Sequence, residues 1–181
     1  METSAVQTKW ISDPTHSELL FKVKHLMITN VKGEFRKFTA SYSGSGDDFD
    51  VTSVRVEIEA DSIFTNNEDR DKHLKSADFF DTDGFDKLIF QGKSAEKKDE
   101  DTFILRGDLT IKGVTRELTL EAEYGGIAKD PWGNAKAGFS LSGKINRKDW
   151  GLTWNAALES GGVLVSDEVK ITAEVQFTKG A

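Results

Sequence analysis

Strict alternation of apolar and polar residues is the feature of this sequence that most constrains its fold. Between positions 169 and 177, every odd residue is apolar and every even residue is polar or charged. A period of two places successive side chains on opposite faces of a β-strand, one buried and one in water. The segments that show this period most clearly are 17–25, 51–60, 116–124, 135–145 and 168–178. The pattern predicts five strands, each with one buried face.

Weaker alternation predicts further strands at 31–42, 86–93 and 102–108, which brings the total to about eight. A change of parity between Phe35 and Phe38 indicates a bulge or bend in the first of these. Turn-forming or charged residues separate the strands at 44–48, 97–101, 112–113 and 130–134. We therefore predict one all-β domain over residues 1–181, folded as an eight-stranded antiparallel barrel or as a sandwich.

One stretch, residues 66–79, shows no alternation and interrupts the series of strands. Asn66 or Asn67 is a suitable N-cap, acidic residues follow it, and Lys75 comes towards the end. These features predict a short helical insertion around 66–79.

Composition and charge exclude several classes of protein. The chain has 24 basic and 31 acidic residues, a formal net charge of −7, and along the sequence no cluster of lysine or arginine stands apart from acids. A field of that sign repels polyanions, so we expect neither nucleic acid nor an anionic membrane surface as a main partner. The sequence contains no cysteine, which excludes disulfides, thiolate metal sites and cysteine nucleophiles.

The sequence also bears on location. No window approaches the roughly 18 consecutive apolar residues of a membrane-spanning helix, so we expect a soluble chain without a transmembrane segment. Residues 1–9 have neither the basic nor the apolar region of a signal peptide. We therefore expect a cytoplasmic protein as the chain stands. The alternative is a periplasmic protein whose leader has been removed, and a homodimer is left open.

Three histidines, His16, His25 and His73, are the first candidates for a general base or a metal site. They share no ligand spacing such as His-x-x-x-His, and structural hydrogen bonding explains them better. Arg70 and Asp71 allow two interpretations: a salt bridge that pins the helix to the barrel end, which we favour, or an arginine that meets an anionic headgroup. We predict no metal site and no catalytic residue.

Two glycine-rich segments, 44–46 and 160–162, lack the patterns of a serine-hydrolase elbow and of a phosphate-binding loop. Three tryptophans, Trp132, Trp150 and Trp154, lie in or beside glycine-containing turns. There they would plug a barrel end or pack against it.

The inward-facing residues of the predicted strands form an apolar wall rich in phenylalanine. Periodicity alone favours a close-packed interior, because most buried faces are filled by side chains. A lumen for an apolar ligand is the alternative, and its walls need only be apolar and of suitable size. The residues that would contact such a ligand are Phe21, Val23, Phe35, Val56, Ile58, Phe90, Leu105, Leu120, Phe139, Leu141, Ile171 and Val175.

Five blocks of the sequence, in order, resemble the YceI-like family. They are DPTHS with FKVKH at 13–25, VKGEF at 31–35, SIFTNNEDRDKHL with DFFD at 62–81, GDLTIKGVT at 107–115, and NRKDWGL at 146–152. The resemblance extends from about Trp10 to Phe177. It implies an elongated, lipocalin-like antiparallel barrel that holds polyisoprenoid lipids, including quinone-type molecules, in its lumen. Many members carry a secretion signal, from which this sequence departs.

The resemblance reverses the preference for a filled interior. We expect a non-catalytic protein that binds, stores or transports a long apolar isoprenoid-type lipid, with an isoprenoid quinone as one such ligand and no cofactor required. Two alternatives remain: an enzyme that acts on such a lipid, with His25 or Arg70 at the barrel mouth, or a packed sandwich that serves as an interaction domain without a ligand.

Overall fold

A computed structural model describes residues 8–45, 48–155 and 164–180, so the 160–162 segment and positions 46–47 of the predicted turn at 44–48 lie outside the described residues. The strands within these ranges are β1 (Thr8–Ser12), β2 (Glu18–His25), β3 (Thr29–Phe35), β4 (Phe38–Ser45), β5 (Asp48–Glu59), β6 (Ile63–Phe64), β7 (Lys87–Lys97), β8 (Thr102–Ile111), β9 (Val114–Lys129), β10 (Ala135–Asn146) and β11 (Val165–Lys179). The α-helix, α1, is Glu68–Lys75, and short 3₁₀ turns occupy Pro14–His16, Ala60–Ser62 and Arg147–Trp150.

Eight strands close an antiparallel barrel in the order β1-β4-β5-β7-β8-β9-β10-β11, with β11 pairing back to β1. The closing strand is β1, in which Trp10 pairs with Tyr42 of β4 and with Lys179 of β11. Strands β2, β3 and β6 extend the sheet from β11. Strand β2 pairs with β11 from Val165 to Glu174, whereas β1 pairs only with its end, from Phe177 to Lys179. The closed ring confirms the predicted eight-stranded barrel and excludes the sandwich.

The strand pattern differs from the prediction at three places. The predicted strand at 31–42 is two strands, because the chain turns between Phe35 and Phe38 and β4 leaves β3 to pair with β5. Strand β1 was not predicted, and neither was the two-residue β6. Strand β6 has only two residues, and β1 carries a single large apolar residue, Trp10, on its inner face, so neither shows the period-two signal.

The helical insertion is present but shorter than predicted. It covers Glu68–Lys75 instead of 66–79, because Ser76 leaves the helical conformation with ψ at 172°. Asn67 is the N-cap, and its side chain accepts a hydrogen bond from the Arg70 backbone N–H at 3.0 Å. Asn66 is not the cap, since it lies in the left-handed region with φ at 63°. The helix is therefore only about two turns long and depends on anchoring contacts.

Three segments gather at one end of the barrel, which we call the helix end: α1 with the residues that follow it, the turn between β8 and β9, and the 3₁₀ turn at Arg147–Trp150. Lys112 in the β8–β9 turn donates to the Ala77 carbonyl at 2.6 Å, and the Trp150 indole donates to the Leu109 carbonyl at 2.8 Å. The turn between β9 and β10 lies at the opposite end, which we call the far end. No helix in the described part of the chain combines the length and the apolar character that membrane crossing requires.

Candidate functional site

A cavity of about 250 Å³ lies inside the barrel between the two groups of buried apolar side chains. Its lining runs from Tyr42 and Phe49 towards the far end to Leu74, Phe79 and Leu152 beneath the helix end. The strands bring these residues together because most of their inward positions are apolar while most outward ones are polar. The interior is therefore a lumen, not the close-packed core that periodicity alone favours.

All twelve residues predicted to face a ligand line this cavity. They differ in how tightly they pack, and this divides the barrel into two sides. The side made by β5, β7, β8 and β9, which we call the packed wall, contributes mostly buried residues such as Ile58, Phe90 and Leu120, although Val56 is half-buried. The side made by β2, β10 and β11, the open wall, contributes mostly half-buried residues such as Phe21 and Ile171, although Val175 is buried.

A glycine sets the position of one aromatic ring on the open wall. A Cβ at Gly33 would lie 2.2 Å from Cζ of Phe21, so the ring of Phe21 fits only because position 33 has no side chain. The same ring packs against Phe35 with centroids 5.7 Å apart. Gly33 thereby keeps the Phe21 ring against the wall and out of the cavity centre.

Sequence reasoning missed the residues that close the helix end. Leu74, Phe79 and Phe80 line the cavity from α1 and from the segment after it, and Leu152 lines it from beyond the 3₁₀ turn. Their signal in the sequence was weak because α1 and its neighbours are mostly polar. The sequence signal that could have identified them is the pair of adjacent phenylalanines, Phe79 and Phe80, at the end of a polar stretch.

Two polar side chains of the cavity lining were also missed. Tyr42 stands among aromatic rings, with the Phe177 centroid at 4.8 Å and the Phe139 centroid at 5.7 Å. Burial raises the pKa of Tyr42 well above its usual range, because the phenolate would lose its hydration. Tyr42 therefore stays a neutral phenol that can donate a hydrogen bond.

Arg147 is the second, and its side chain is only 4% exposed. Its guanidinium donates to the carbonyls of Ser166 at 2.9 Å, Leu152 at 2.6 Å and Trp154 at 2.9 Å. Burial lowers the pKa of Arg147, and the nearby carboxylate of Asp167 opposes that effect. A buried cation surrounded by carbonyls in this way fixes the backbone. Arg147 joins the segment after the 3₁₀ turn to the beginning of β11.

The residues 70–73 anchor the helix, but not by the predicted salt bridge. Asp71 accepts hydrogen bonds from the backbone and hydroxyl of Thr65, and Arg70 donates to the same hydroxyl at 2.8 Å and to the Thr65 carbonyl. Both side chains thus tie α1 to the end of β6 through Thr65 instead of pairing with each other. His73 bonds Asp78 at 2.8 Å and packs edge-on against Trp154 at 4.5 Å.

The other two histidines are separate from this cluster. His16 bonds Asp13 at 3.0 Å, and Lys136 reaches the same carboxylate at 3.0 Å. Hydrogen bonds from His16, Thr15 and Lys136 hold the pKa of Asp13 well below its usual range. His25 ends β2, and neither it nor Arg70 lines the cavity. Across the described ranges, no three His, Cys, Asp or Glu side chains form a group that could hold a metal ion.

The three predicted end-plugging tryptophans occupy different places. Trp132 is 84% exposed in the β9–β10 turn, so it neither plugs nor packs the barrel end. Trp150 is fully buried at the helix end, and Trp154 packs on His73 and Phe79. Trp10, which was not singled out, is buried on β1 and stacks on Tyr42.

A closed eight-stranded antiparallel barrel around an apolar cavity defines the class of ligand-enclosing, lipocalin-like barrels. Comparison with known proteins places the chain within this class. The family model described as YceI-like domain matches residues 10–177, and the chain belongs to that family.

Relatives and solved structures agree with this assignment. A UPF0312 protein of Staphylococcus aureus strain N315 is 42% identical over 172 residues, which cover 94% of this chain and 98% of the relative. The YceI protein of Campylobacter jejuni is 35% identical, with a TM-score of 0.73 over 87% of this chain and 90% of that one. A polyisoprenoid-binding domain of Saccharophagus degradans, implicated in plant cell wall breakdown, shares the fold with a TM-score of 0.69 at 14% identity, over 94% and 98% of the two chains.

Proposed function

We propose that the protein binds a long apolar lipid of the isoprenoid type inside the barrel, as a storage or transport protein and not as an enzyme. The cavity carries this proposal, because apolar side chains line nearly all of its length. Moving a polyprenyl chain from water into such a space gains about 25 cal/mol per Å² of apolar surface and needs no polar partner. Family membership and the ligand named for the Saccharophagus domain support an isoprenoid as the lipid.

The polar groups of the lining support binding over catalysis. Among the described residues, those with polar side chains in the lining are Ser41, Tyr42 and Arg147, and the lining includes no carboxylate or histidine. Most N–H groups of Arg147 are already bound to carbonyls, and Tyr42 stays protonated. Such groups offer no general base. A quinone headgroup, which only accepts hydrogen bonds, suits the Tyr42 hydroxyl, so we propose an isoprenoid quinone as one ligand; the lipid is cargo and no cofactor is needed.

Native mass spectrometry of the gently purified protein tests the proposal. We expect species heavier than the chain alone, and organic extraction should release an isoprenoid whose mass equals the increment. The same protein, stripped of lipid, should take up an added polyprenol or isoprenoid quinone and return it chemically unchanged. A changed lipid would support the enzyme alternative. Neither native cargo nor uptake of either compound would refute lipid binding. The cytoplasmic location and the homodimer stay predictions.

A further inference from the structure

We propose that the β2–β3 hairpin docks the protein on an anionic lipid bilayer. The proposal goes beyond lipid binding in the cavity, because it concerns the outer surface of the barrel. Two features carry it independently: an apolar tip on the hairpin, and a row of lysines that crosses the hairpin and continues onto β11 and β10.

The tip of the hairpin exposes three consecutive apolar residues. Leu26 is 40% exposed, Met27 is 49% exposed and Ile28 is 78% exposed. The Ile28 N–H donates to the His25 carbonyl at 3.2 Å, which closes a two-residue turn with Leu26 and Met27 at its centre. Isolated apolar residues are common on protein surfaces, but three in a row at a projecting turn form a surface that water solvates poorly.

The backbone conformation of this turn disfavours the bulky residues that occupy it. Leu26 has φ at 55° and Met27 at 63°, and a turn with two left-handed residues favours Asn-Gly. The turn between β8 and β9 shows the ordinary solution, with Gly113 at the second left-handed position. Bulky apolar residues at both positions do not stabilise the turn. Strained conformations of this kind are typical of functional sites.

The second feature is a row of four lysines that the strand register places side by side. Lys32 of β3 lies opposite Lys22 of β2, Lys22 opposite Lys170 of β11, and Lys170 opposite Lys144 of β10. All four point outwards and are exposed. We call them the lysine row. The sequence predicted that no cluster of lysine or arginine stands apart from acids. The lysine row corrects this prediction, because the strand register joins lysines that are distant along the chain.

The nearby acids leave most of this charge uncompensated. Glu168 lies 3.7 Å from Lys144, and Asp167 lies 3.3 Å from Lys148. Within the described chain, no carboxylate lies in ion-pair range of Lys22, Lys32 or Lys170. Like charges directly opposite one another destabilise a sheet. An external anion that lies against the row would relieve this repulsion.

An anionic bilayer matches both features at once. The lysine row lies about four residues, roughly 13 Å, from the apolar tip along β2. Basic residues beside an apolar tip bind anionic lipid surfaces by electrostatic attraction together with shallow insertion. The cavity also reaches the end of the barrel at which the hairpin tip lies. Its lining includes Val23 and Val165, and Val165 is the strand partner of His25, the residue before the tip.

Sedimentation with vesicles tests the docking. The lipid-free protein is mixed with vesicles of phosphatidylglycerol and phosphatidylcholine, or of phosphatidylcholine alone, at low and high salt. We expect binding to the anionic vesicles only, weakened by salt because the charges lie at the surface. Equal binding to both kinds of vesicle, or binding to neither, would overturn the proposal. Single-stranded DNA is a parallel probe, and stronger binding to it than to vesicles would assign the row to nucleic acid instead.

Two variants separate docking from folding. Leu26→Asn with Met27→Gly installs the favoured turn, so the melting temperature should hold or rise while vesicle affinity falls about tenfold or more. Lys22→Gln with Lys32→Gln should lower affinity by about 25-fold, since each basic residue near an anionic surface contributes about fivefold. Unchanged vesicle affinity in either variant would contradict the proposal.

The far end of the barrel offers matched controls. Trp132→Ser removes an exposed aromatic residue, and Lys98→Gln removes a lysine that lies 3.4 Å from Glu121. Both should leave vesicle binding unchanged, and a loss equal to that of the hairpin variants would overturn the proposal. Uptake of a polyprenol from detergent solution is measured in parallel. If uptake persists while vesicle binding is absent in the parent protein, docking is wrong and the proposed function still stands.

Discussion

Filling the cavity from the open wall should separate lipid binding from stability. Ala173 lines the cavity from β11, between Leu19 of β2 and Leu141 of β10, and it remains partly accessible. Ala173→Leu adds three carbon atoms that occupy space otherwise open to a ligand. Excluding three methylene-sized groups of lipid costs about 2.4 kcal/mol, which corresponds to about a sixtyfold loss of affinity.

The same substitution should not destabilise the lipid-free protein. In a filled core, added methylene groups cost about 1–3 kcal/mol through strain. In the cavity they become buried without displacing a neighbour, so we expect the free energy of unfolding to stay constant or rise by up to about 2 kcal/mol. Urea denaturation measures the free energy of unfolding, and titration with a polyprenol measures affinity.

The neighbouring position is the matched control. Thr172 is exposed on the outer face of β11, so Thr172→Leu adds apolar bulk to the same strand outside the cavity. It should leave the affinity for polyprenol unchanged. The reasoning is refuted if Ala173→Leu loses about 1–3 kcal/mol of stability, as in a filled core, or if both variants lose affinity equally.

Three further substitutions test other parts of the structure. Gly33→Ala should turn the Phe21 ring into the cavity and weaken polyprenol binding severalfold in titration, with wild-type affinity as the contradicting result. Asp13→Asn should lower the melting temperature at pH 7, and this deficit should shrink as the pH falls below about 4, where the carboxylate of the parent protein loses its stabilising advantage; a deficit independent of pH would contradict it. Arg70→Ala should cost about 1 kcal/mol and speed amide hydrogen exchange across 66–80 without changing the lipid that is bound, whereas Lys72→Ala on the same helix should not; equal exchange in both would contradict the anchoring role.

The long strands could be predicted from the sequence because their period is local. A strand such as β11 repeats the alternation from Val169 to Phe177, and each turn of the chain interrupts it. Strand β1 could not be predicted, since Trp10 is the single large apolar residue on its inner face. The closure of the barrel rests on the pairing of Trp10 with Lys179, and a contact between the two ends of the chain leaves no local trace.

The cavity and the lysine row could not be predicted from residue order alone, because both depend on how strands that are distant in the sequence lie beside one another. The parity of each strand shows which side chains point inwards, but not whether opposite walls touch across the barrel. Only the resemblance to the YceI-like family favoured a lumen. The lysine row joins residues 148 positions apart (170 minus 22), and only the register of β2 against β11 brings them together. Lysines that are scattered along the chain therefore form a cluster in the folded protein that the net charge and composition do not reveal.

The separation of structural from lining residues has a consequence for ligand choice. Polar networks around Asp13 and Arg147 fix the strand connections, and the packed wall supplies the core, while the open wall faces the lipid. Recognition then rests on apolar area, so affinity should rise with chain length by a factor of about four for each methylene group buried, until the cavity is full. Beyond that length, added groups stay in water and affinity should level off. Titration with polyprenols of increasing length measures this curve, and Ala173→Leu should move its plateau to a shorter chain. If affinity were independent of chain length and instead varied with the headgroup, a polar site and not the apolar open wall would select the ligand.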